Sequence, residues 1–267
     1  MASLLALRRP VDRIPVLVFL SWTFVDFVLY FTVDNLWWLA AYWLLMIVPK
    51  GSSGAWSHHH QHCPTFTSTA LNRMLEFSHA LHTGQTTNLW VLHHVFGHHL
   101  NYLDQTKDES RWKRKDGSRL GELEYALAVT LTAYPRAFRV GARFPRERRD
   151  FLIFGLLTST LVAGLVAHRP GQALLLFVLP MFLSTLFTSW VTYDHHAGLE
   201  STDPYSASFN NVSRWYNILT GNLGYHTAHH LRQGIHWSEL PELHASIAHK
   251  IPANLYKDSM LKFLLPG

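Results

Sequence analysis

The sequence predicts an all-α membrane protein with about four transmembrane helices and a hydrophilic, histidine-rich cap on one side of the membrane. Three observations favour this fold class. Only 15% of the 267 residues are charged, against roughly 25% in soluble domains. Long apolar runs are separated by polar stretches that hold most of the 19 histidines. Apolar and polar residues nowhere alternate over a useful length, as they would in half-buried strands.

Residues 14–33 are the first predicted span, because twenty residues with the single acid Asp26 have about the length that crosses a hydrocarbon core of roughly 30 Å. Residues 35–49 are the second predicted span. They contain no charge and are rich in tryptophan and tyrosine, which favour membrane interfaces. An ionisable side chain is costly against lipid, so we expect Asp26 to face another helix or a water-filled pocket.

Residues 151–168 and 170–193 are the third and fourth predicted spans, and only Arg169 separates them. This arrangement predicts a tight helical hairpin. Pro180 lies inside the fourth span and predicts a kink, because proline removes a helical hydrogen bond. The alternative is a pair of buried helices in a soluble protein, and uncharged runs of 18 and 24 residues argue against it.

Positive charge indicates which side of the membrane the hydrophilic segments occupy. Residues 99–150 hold twelve Lys or Arg, and three more Arg lie near the N-terminus. The positive-inside rule places both in the cytoplasm. We therefore predict a single multi-pass membrane domain, residues 1–267, with cytosolic segments 50–150 and 194–267. Nucleic-acid binding is not expected, because eight acids are interleaved with the basic residues and no recognition motif accompanies them.

Histidine is the residue type that carries chemistry in this sequence. Cys63 is the single cysteine, which excludes an intrachain disulfide and any site built from several cysteines. A bound metal therefore needs imidazole or carboxylate ligands. The histidines form four clusters, all in the predicted cytosolic segments: His58, His59, His60 and His62; His93, His94, His98 and His99; His195 and His196; His226, His229 and His230.

Spacing indicates which histidines act together, because residues three or four apart share a helix face. The resulting candidate ligands are His58 and His62, His94 and His98 with adjacent His99, one histidine of the pair at 195–196, and His226, His229 and His230. His59 and His60 remain alternatives to His58. A structural zinc takes four ligands, so this larger number predicts two metal ions.

An all-imidazole site for two metals at a membrane surface favours iron working with O2 on an unactivated C–H bond. No catalytic residue is predicted beyond the ligands. Asp194 and Asn222 are the preferred candidates for orienting the rings, with Asp104 and Asp108 as further candidates. A metal-transporting or metal-sensing membrane protein is the alternative from another class. Its ligands would lie near the bilayer midplane, where this sequence has only Asp26.

Three motifs carry a family resemblance: HxxxH at 58–62, HxxxHH at 94–99 and HxxHH at 226–230. They resemble, in order, the histidine boxes of the integral-membrane fatty acid desaturase and hydroxylase superfamily. YDHHAGL resembles the extra histidine site of alkane hydroxylases, which favours His196 over His195. The resemblance implies a helical membrane fold whose cytosolic cap holds a non-haem diiron centre. The implied iron ligands are His58, His62, His94, His98, His99, His196, His226, His229 and His230.

The resemblance also implies a membrane-bound oxidoreductase that uses O2 to desaturate a fatty acyl chain of a lipid. Hydroxylation or monooxygenation of a fatty acid, an alkane or another apolar substrate is the alternative, because the histidine boxes do not separate the two reactions. No fused electron carrier is visible. We therefore expect a separate ferredoxin, rubredoxin or cytochrome b5 fed by an NAD(P)H reductase. The basic segment 107–119 is a candidate docking site for an acidic carrier.

Overall fold

The computed structural model describes residues 6–258, and it is mostly helical, which confirms the all-α prediction. The α-helices are α1 (Arg13–Thr32), α2 (Leu36–Gly51), α3 (Ser53–His62), α4 (Thr69–Thr83), α5 (Glu122–Val140), α6 (Pro145–His168), α7 (Pro170–Ala173), α8 (Leu179–His196), α9 (Arg214–Thr220), α10 (His226–Leu231) and α11 (Leu240–Ile247). Two segments are π-helical, Val91–His99 and Leu174–Val178. Short 3-10 turns lie at Pro10–Asp12, Gly141–Arg143, Trp237–Glu239, Ala248–Lys250 and Ala253–Leu255.

Three helical stretches in the described chain are long and apolar enough to cross a membrane: Pro10–Thr32, Pro145–His168 and Pro170–His196. They correspond to the first, third and fourth predicted spans. The second predicted span, 35–49, corresponds to α2. Its 16 residues rise about 24 Å along the helix axis, which is less than the thickness of the hydrocarbon core. A complete crossing by α2 therefore stays a prediction.

Arg169 turns the chain between α6 and α7, as the hairpin prediction requires. α6 ends at His168 and α7 begins at Pro170. The Arg169 guanidinium donates hydrogen bonds to the carbonyl oxygens of Tyr30 and Val33 and pairs with Asp34. Carbonyl groups in the last turn of a helix have no helical partner. Arg169 therefore ties the hairpin to the end of α1.

A π-helical segment, Leu174–Val178, lies directly before Pro180. Proline has no N–H, so Pro180 cannot donate to the carbonyl group of Leu176, four residues earlier. The wider π turn occurs where this α-helical bond is missing. The structure thus accommodates Pro180, for which the sequence predicts a kink, by a local change of helix type.

Helix α8 is the span that contacts the rest of the protein most closely. The most apolar stretch of its span is 33% buried, against 17% for α6. Gly54 allows α3 to approach α8, because a Cβ atom at residue 54 would lie 2.3 Å from Thr188 Oγ1. The close approach places α3, which carries the first histidine cluster, against the cap end of this span.

Two short strands depart from the helical prediction. β1 (Asn210–Asn211) and β2 (Tyr256–Lys257) pair in parallel. Beside them, Lys257 Nζ contacts Asp194 Oδ1 at 2.6 Å. The ladder therefore joins the segment after α11 to the segment before α9, and the Lys257–Asp194 contact ties it to the end of α8. A strand of two residues has no alternating pattern, so the sequence does not predict it.

Asp26, the acid in the first span, is fully buried and faces α2. Lys50 Nζ contacts both carboxylate oxygens of Asp26, and the Tyr42 hydroxyl donates to Oδ1 at 2.9 Å. Lys50 is only 5% exposed. Nδ1 of His82, in α4, lies 3.4 Å from Asp26 Oδ2. This buried charge pair joins α1, α2 and α4.

We expect Asp26→Asn to lower the free energy of unfolding by about 3–5 kcal/mol, because it leaves the Lys50 ammonium group buried without a counter-charge. The melting temperature in detergent measures the effect. The double variant Asp26→Asn/Lys50→Met should recover most of the loss. Glu200→Gln removes a partner of Lys113 from a surface pair and should change little. A wild-type melting temperature for Asp26→Asn would contradict the prediction.

Candidate metal centre

Nine histidines from four segments of the chain meet in two adjoining groups. The first group contains His58, His62, His94, His99 and His229, and the second contains His98, His196 and His230. Within each group the candidate ligand atoms lie within 4.8 Å of one another. His226 adjoins the second group, with Nε2 3.0 Å from His196 Nε2 and 3.1 Å from His230 Nε2. These are the nine histidines that the sequence singles out.

The second histidine cluster lies on a π-helix, which changes its pairing. The α-helical spacing predicts that His94 and His98 share a face. In the π-helix Val91–His99 it is His94 and His99, five residues apart, that join the first group, with their Nε2 atoms 3.0 Å apart. His98 contributes to the second group instead. A π-helix bonds residues five apart and has a wider turn. The rings of His94 and His98 still stack, with centroids 5.0 Å apart, but they belong to different groups.

The fourth histidine cluster also divides between the groups. α10 directs His226 and His230, one turn apart, to the second group, and His229 to the first. His58 Nε2 lies 2.9 Å from His229 Nε2. His99 and His229 belong to the first group, and their chain neighbours His98 and His230 belong to the second. Each pair of chain neighbours therefore connects the two groups directly.

The inner nitrogen atoms of the rings, which are the Nε2 atoms that face one another within a group, fit a bound cation. The Nε2 atoms of His196, His226 and His230 lie 3.0–3.1 Å from one another. A neutral imidazole donates through only one nitrogen, so these three contacts cannot all be hydrogen bonds. In the first group, His62 Nε2 is buried and has no hydrogen-bond partner among the described residues. A metal ion in each group would satisfy these atoms at once.

The protonation state of the rings suits metal binding. Burial, together with the neighbouring histidines, lowers the pKa of His62 from its usual range to about 3. The same two causes hold the pKa well below the usual value for His58, His94, His99, His226, His229 and His230. These rings are therefore neutral near physiological pH, and neutral imidazole is the form that binds a metal.

The outer nitrogen atoms of three rings have partners. His98 Nδ1 lies 2.9 and 3.0 Å from the two carboxylate oxygens of Asp108. His196 Nδ1 lies 3.0 Å from the carbonyl oxygen of Ala207. Both partners only accept hydrogen bonds, so Nδ1 carries the proton and Nε2 is free for a metal. Trp90 instead donates to His58 Nδ1 at 3.2 Å, so a metal at His58 Nε2 would displace a proton.

The structure distinguishes the alternatives within the first cluster. His58 lies in the first group. His59 Nε2 lies 3.0 Å from the carbonyl oxygen of Thr220, and His60 Nδ1 lies 2.8 Å from Thr65 Oγ1. His59 therefore contacts the end of α9, and His60 contacts the loop after α3, and neither belongs to either group.

The two residues preferred for orienting the rings lie elsewhere. The Asp194 carboxylate pairs with Lys257, and the Asn222 amide donates to the carbonyl oxygen of Trp237 at 3.2 Å. Asp194 and His196 are two residues apart on a helix and so point in different directions. The orienting carboxylate is Asp108. The sequence offers it only as a further candidate, because a turn between His98 and Asp108 brings the two together. The sequence carries no signal for the contact of Trp90 with His58, because the two residues are 32 positions apart.

A largely apolar cavity of about 710 Å³ lies between α2, α5, α8 and α9. Its volume is within the range of roughly 300–1,000 Å³ typical of ligand sites. Tyr216 and Thr220 lie in its wall. The Tyr216 hydroxyl contacts His195 Nε2 at 3.0 Å, and Thr220 contacts His59. His195 and His59 are the chain neighbours of two candidate ligands, so the cavity adjoins the histidine groups.

Comparison with known proteins identifies the family. Residues 35–260 match the fatty acid desaturase family, so the chain belongs to this family. No curated protein and no solved structure matches the chain. Family membership makes the protein an oxidoreductase of a membrane-bound family. The histidine groups could bind the metal on which such enzymes typically depend.

We expect Asp108→Asn to weaken metal binding by about 10–100-fold, because an amide no longer fixes the His98 ring as a carboxylate does. Metal content after dialysis against a graded chelator measures the loss. Asp194→Asn is the matched control, because its carboxylate pairs with Lys257. It should retain the wild-type metal content. Equal metal loss in the two variants would contradict the role of Asp108.

Proposed function

We propose that this protein oxidises an unactivated C–H bond of a lipid acyl chain with O2, and that the reaction is desaturation. The observation that carries the proposal is the pair of adjoining, buried all-histidine groups. One iron ion would be bound by the first group, and a second by His98, His196, His226 and His230. Bound iron would supply the activation of O2 that hydrogen abstraction requires.

The chain's own residues prepare this chemistry. Neutral, buried imidazoles provide borderline nitrogen ligands, which suit iron. Asp108 and the Ala207 carbonyl group hold two rings with their inner nitrogen atoms free. The rings of His99 and His230 are stacked, with centroids 4.2 Å apart. This contact supports two ions acting on one substrate rather than two independent sites.

The cavity supports an acyl substrate. Its wall is built from apolar side chains that include Met46, Leu183 and Leu219. Glu122, at the start of α5, accepts a hydrogen bond from Trp190 in α8, and both residues line the cavity. A single extended hydrocarbon chain fits an apolar cavity beside a span, because it can enter from the lipid without exposure to water.

The topology and the electron supply complete the proposal. The second predicted span, formed by α2, would make a fourth crossing, and the histidine groups would then face the cytoplasm, as the basic segments require. Desaturation consumes O2, two electrons and two protons, and it yields a double bond and two waters. A separate ferredoxin, rubredoxin or cytochrome b5 would supply the electrons from NAD(P)H.

Hydroxylation is the second candidate reaction. Its support is His196, whose position after the fourth span resembles the extra histidine site of alkane hydroxylases. In the structure His196 contacts His98, His226 and His230. A site with this additional ligand serves either reaction, and only the product distinguishes them.

Product analysis by mass spectrometry tests the reaction. Lipids and small apolar compounds from cells that produce the protein should contain acyl chains lighter by two hydrogens. Cells that produce His229→Ala should lack them, because a central ligand is removed. A gain of one oxygen would instead support hydroxylation. The absence of any histidine-dependent product would overturn the proposed oxidation.

A tryptophan in the cavity wall tests the acyl site. Met46→Trp narrows the cavity, so we expect turnover to fall more for long acyl chains than for short ones. Leu45→Trp is the matched control, because Leu45 is 77% exposed on the outer face of α2. It should leave the chain-length profile unchanged. Parallel profiles for Met46→Trp and the wild type would exclude this cavity as the acyl site.

A further inference from the structure

Tyr102 lies between the histidine groups and the surface of the cap. It follows the π-helix by three residues and is half-buried. The centroid of its ring is 4.3 Å from that of His230, and 6.2 Å from those of His98 and His196. Three candidate ligands of the second group therefore surround one partly exposed aromatic ring.

Two exposed leucines lie beside Tyr102 in the chain. Leu100 and Leu103 are 60% and 37% exposed, although they lie in the cap and not on a span. Weak, transient contacts between redox proteins typically use small interfaces, which a patch of this size can supply. The proposed reaction requires such a contact, because no electron carrier is part of the described chain.

The basic segment 107–119 is less suited to the contact than its sequence indicates. Lys107 pairs with Asp104, Lys113 with Glu200, and Arg114 with Glu124. These acids neutralise much of its positive charge. Proximity to the histidine groups therefore identifies the docking surface better than charge does.

A second aromatic route also runs from the surface to the histidines. It passes from Trp237 to Trp56, then to His59 and His229, with ring centroids 5.1, 6.2 and 6.4 Å apart. Each of its steps is longer than the 4.3 Å between Tyr102 and His230. The route through Tyr102 reaches a candidate ligand in one step.

We propose that a one-electron carrier protein docks over Leu100, Tyr102 and Leu103, and that its electrons reach the metal centre through the Tyr102 ring and His230. Each docked carrier would lose one electron, which a metal ion held by the histidine groups would accept. Two dockings supply one turnover. Tyr102 forms and breaks no bond. This inference rests on the proposed function, because it assumes a redox metal at the histidine groups.

Tyr102→Leu tests the route, because it removes the ring and keeps an apolar side chain. Reduced ferredoxin, rubredoxin and cytochrome b5 are each mixed with the iron-loaded protein without lipid substrate, and stopped-flow absorbance follows oxidation of the carrier. The comparison uses the carrier that the wild type oxidises fastest. We expect Tyr102→Leu to oxidise this carrier about tenfold more slowly, which corresponds to about 1.4 kcal/mol in the activation barrier. Tyr102→Phe should retain most of the rate.

Two further variants separate the steps of the proposal. Leu103→Asp should raise the Kd for the carrier, measured by calorimetry, without changing the iron content. Trp237→Leu, on the longer aromatic route, should leave the rate of carrier oxidation unchanged. Tyr102→Leu, compared with the wild type at saturating carrier, should also keep the iron content and melting temperature.

The outcomes distinguish a failure of this inference from a failure of the proposed function. A Tyr102→Leu variant that oxidises the carrier at the wild-type rate overturns the route. So does one that loses iron, because the ring would then only hold His230 in place. If Trp237→Leu slows electron transfer from the carrier and Tyr102→Leu does not, the electrons pass through Trp237 and Trp56 instead. If the wild type oxidises none of the three carriers, the proposed function and this inference both fail.

Discussion

The fold depends on one constraint, which is that nine imidazole rings must stay neutral and crowd their inner nitrogen atoms into a small buried space. Such atoms are costly to bury without partners, so the surrounding structure has to hold them there. Asp108 and the Ala207 carbonyl group fix two rings from outside. The close approach of α3 to α8 at Gly54 provides the rigid frame. The spans therefore hold the cap at the membrane and also help to position its histidines.

The fold class and the gathering of the nine histidines could be predicted because both depend on local properties of the sequence. Span length, charge bias and the spacing of histidines are all visible over short windows. The grouping of the rings could not be predicted, because the π-helical hydrogen bonds that pair His94 with His99 depend on tertiary packing. Asp108 reaches His98 only through the fold of the intervening loop, which no helical spacing describes.

The buried pair of Asp26 and Lys50, in the membrane region, is another contact that the sequence predicts only in part. The sequence identifies Asp26 as costly against lipid, but it does not identify Lys50, which lies just beyond the second predicted span. Lys50 also lines the apolar cavity. A charge that joins three helices therefore lies in the wall of the proposed acyl site, and its complete pairing with Asp26 keeps that wall compatible with a hydrocarbon chain.

The division of chain neighbours between the two histidine groups has a mechanical consequence. His98 and His99 belong to different groups, as do His229 and His230, and adjacent Cα atoms are held about 3.8 Å apart by the peptide unit. Neither group can shift without moving the other. In the proposed two-metal centre, the first ion to bind would order the backbone that the second requires. Loading would then be cooperative, and protein with a single ion would be scarce at any metal concentration.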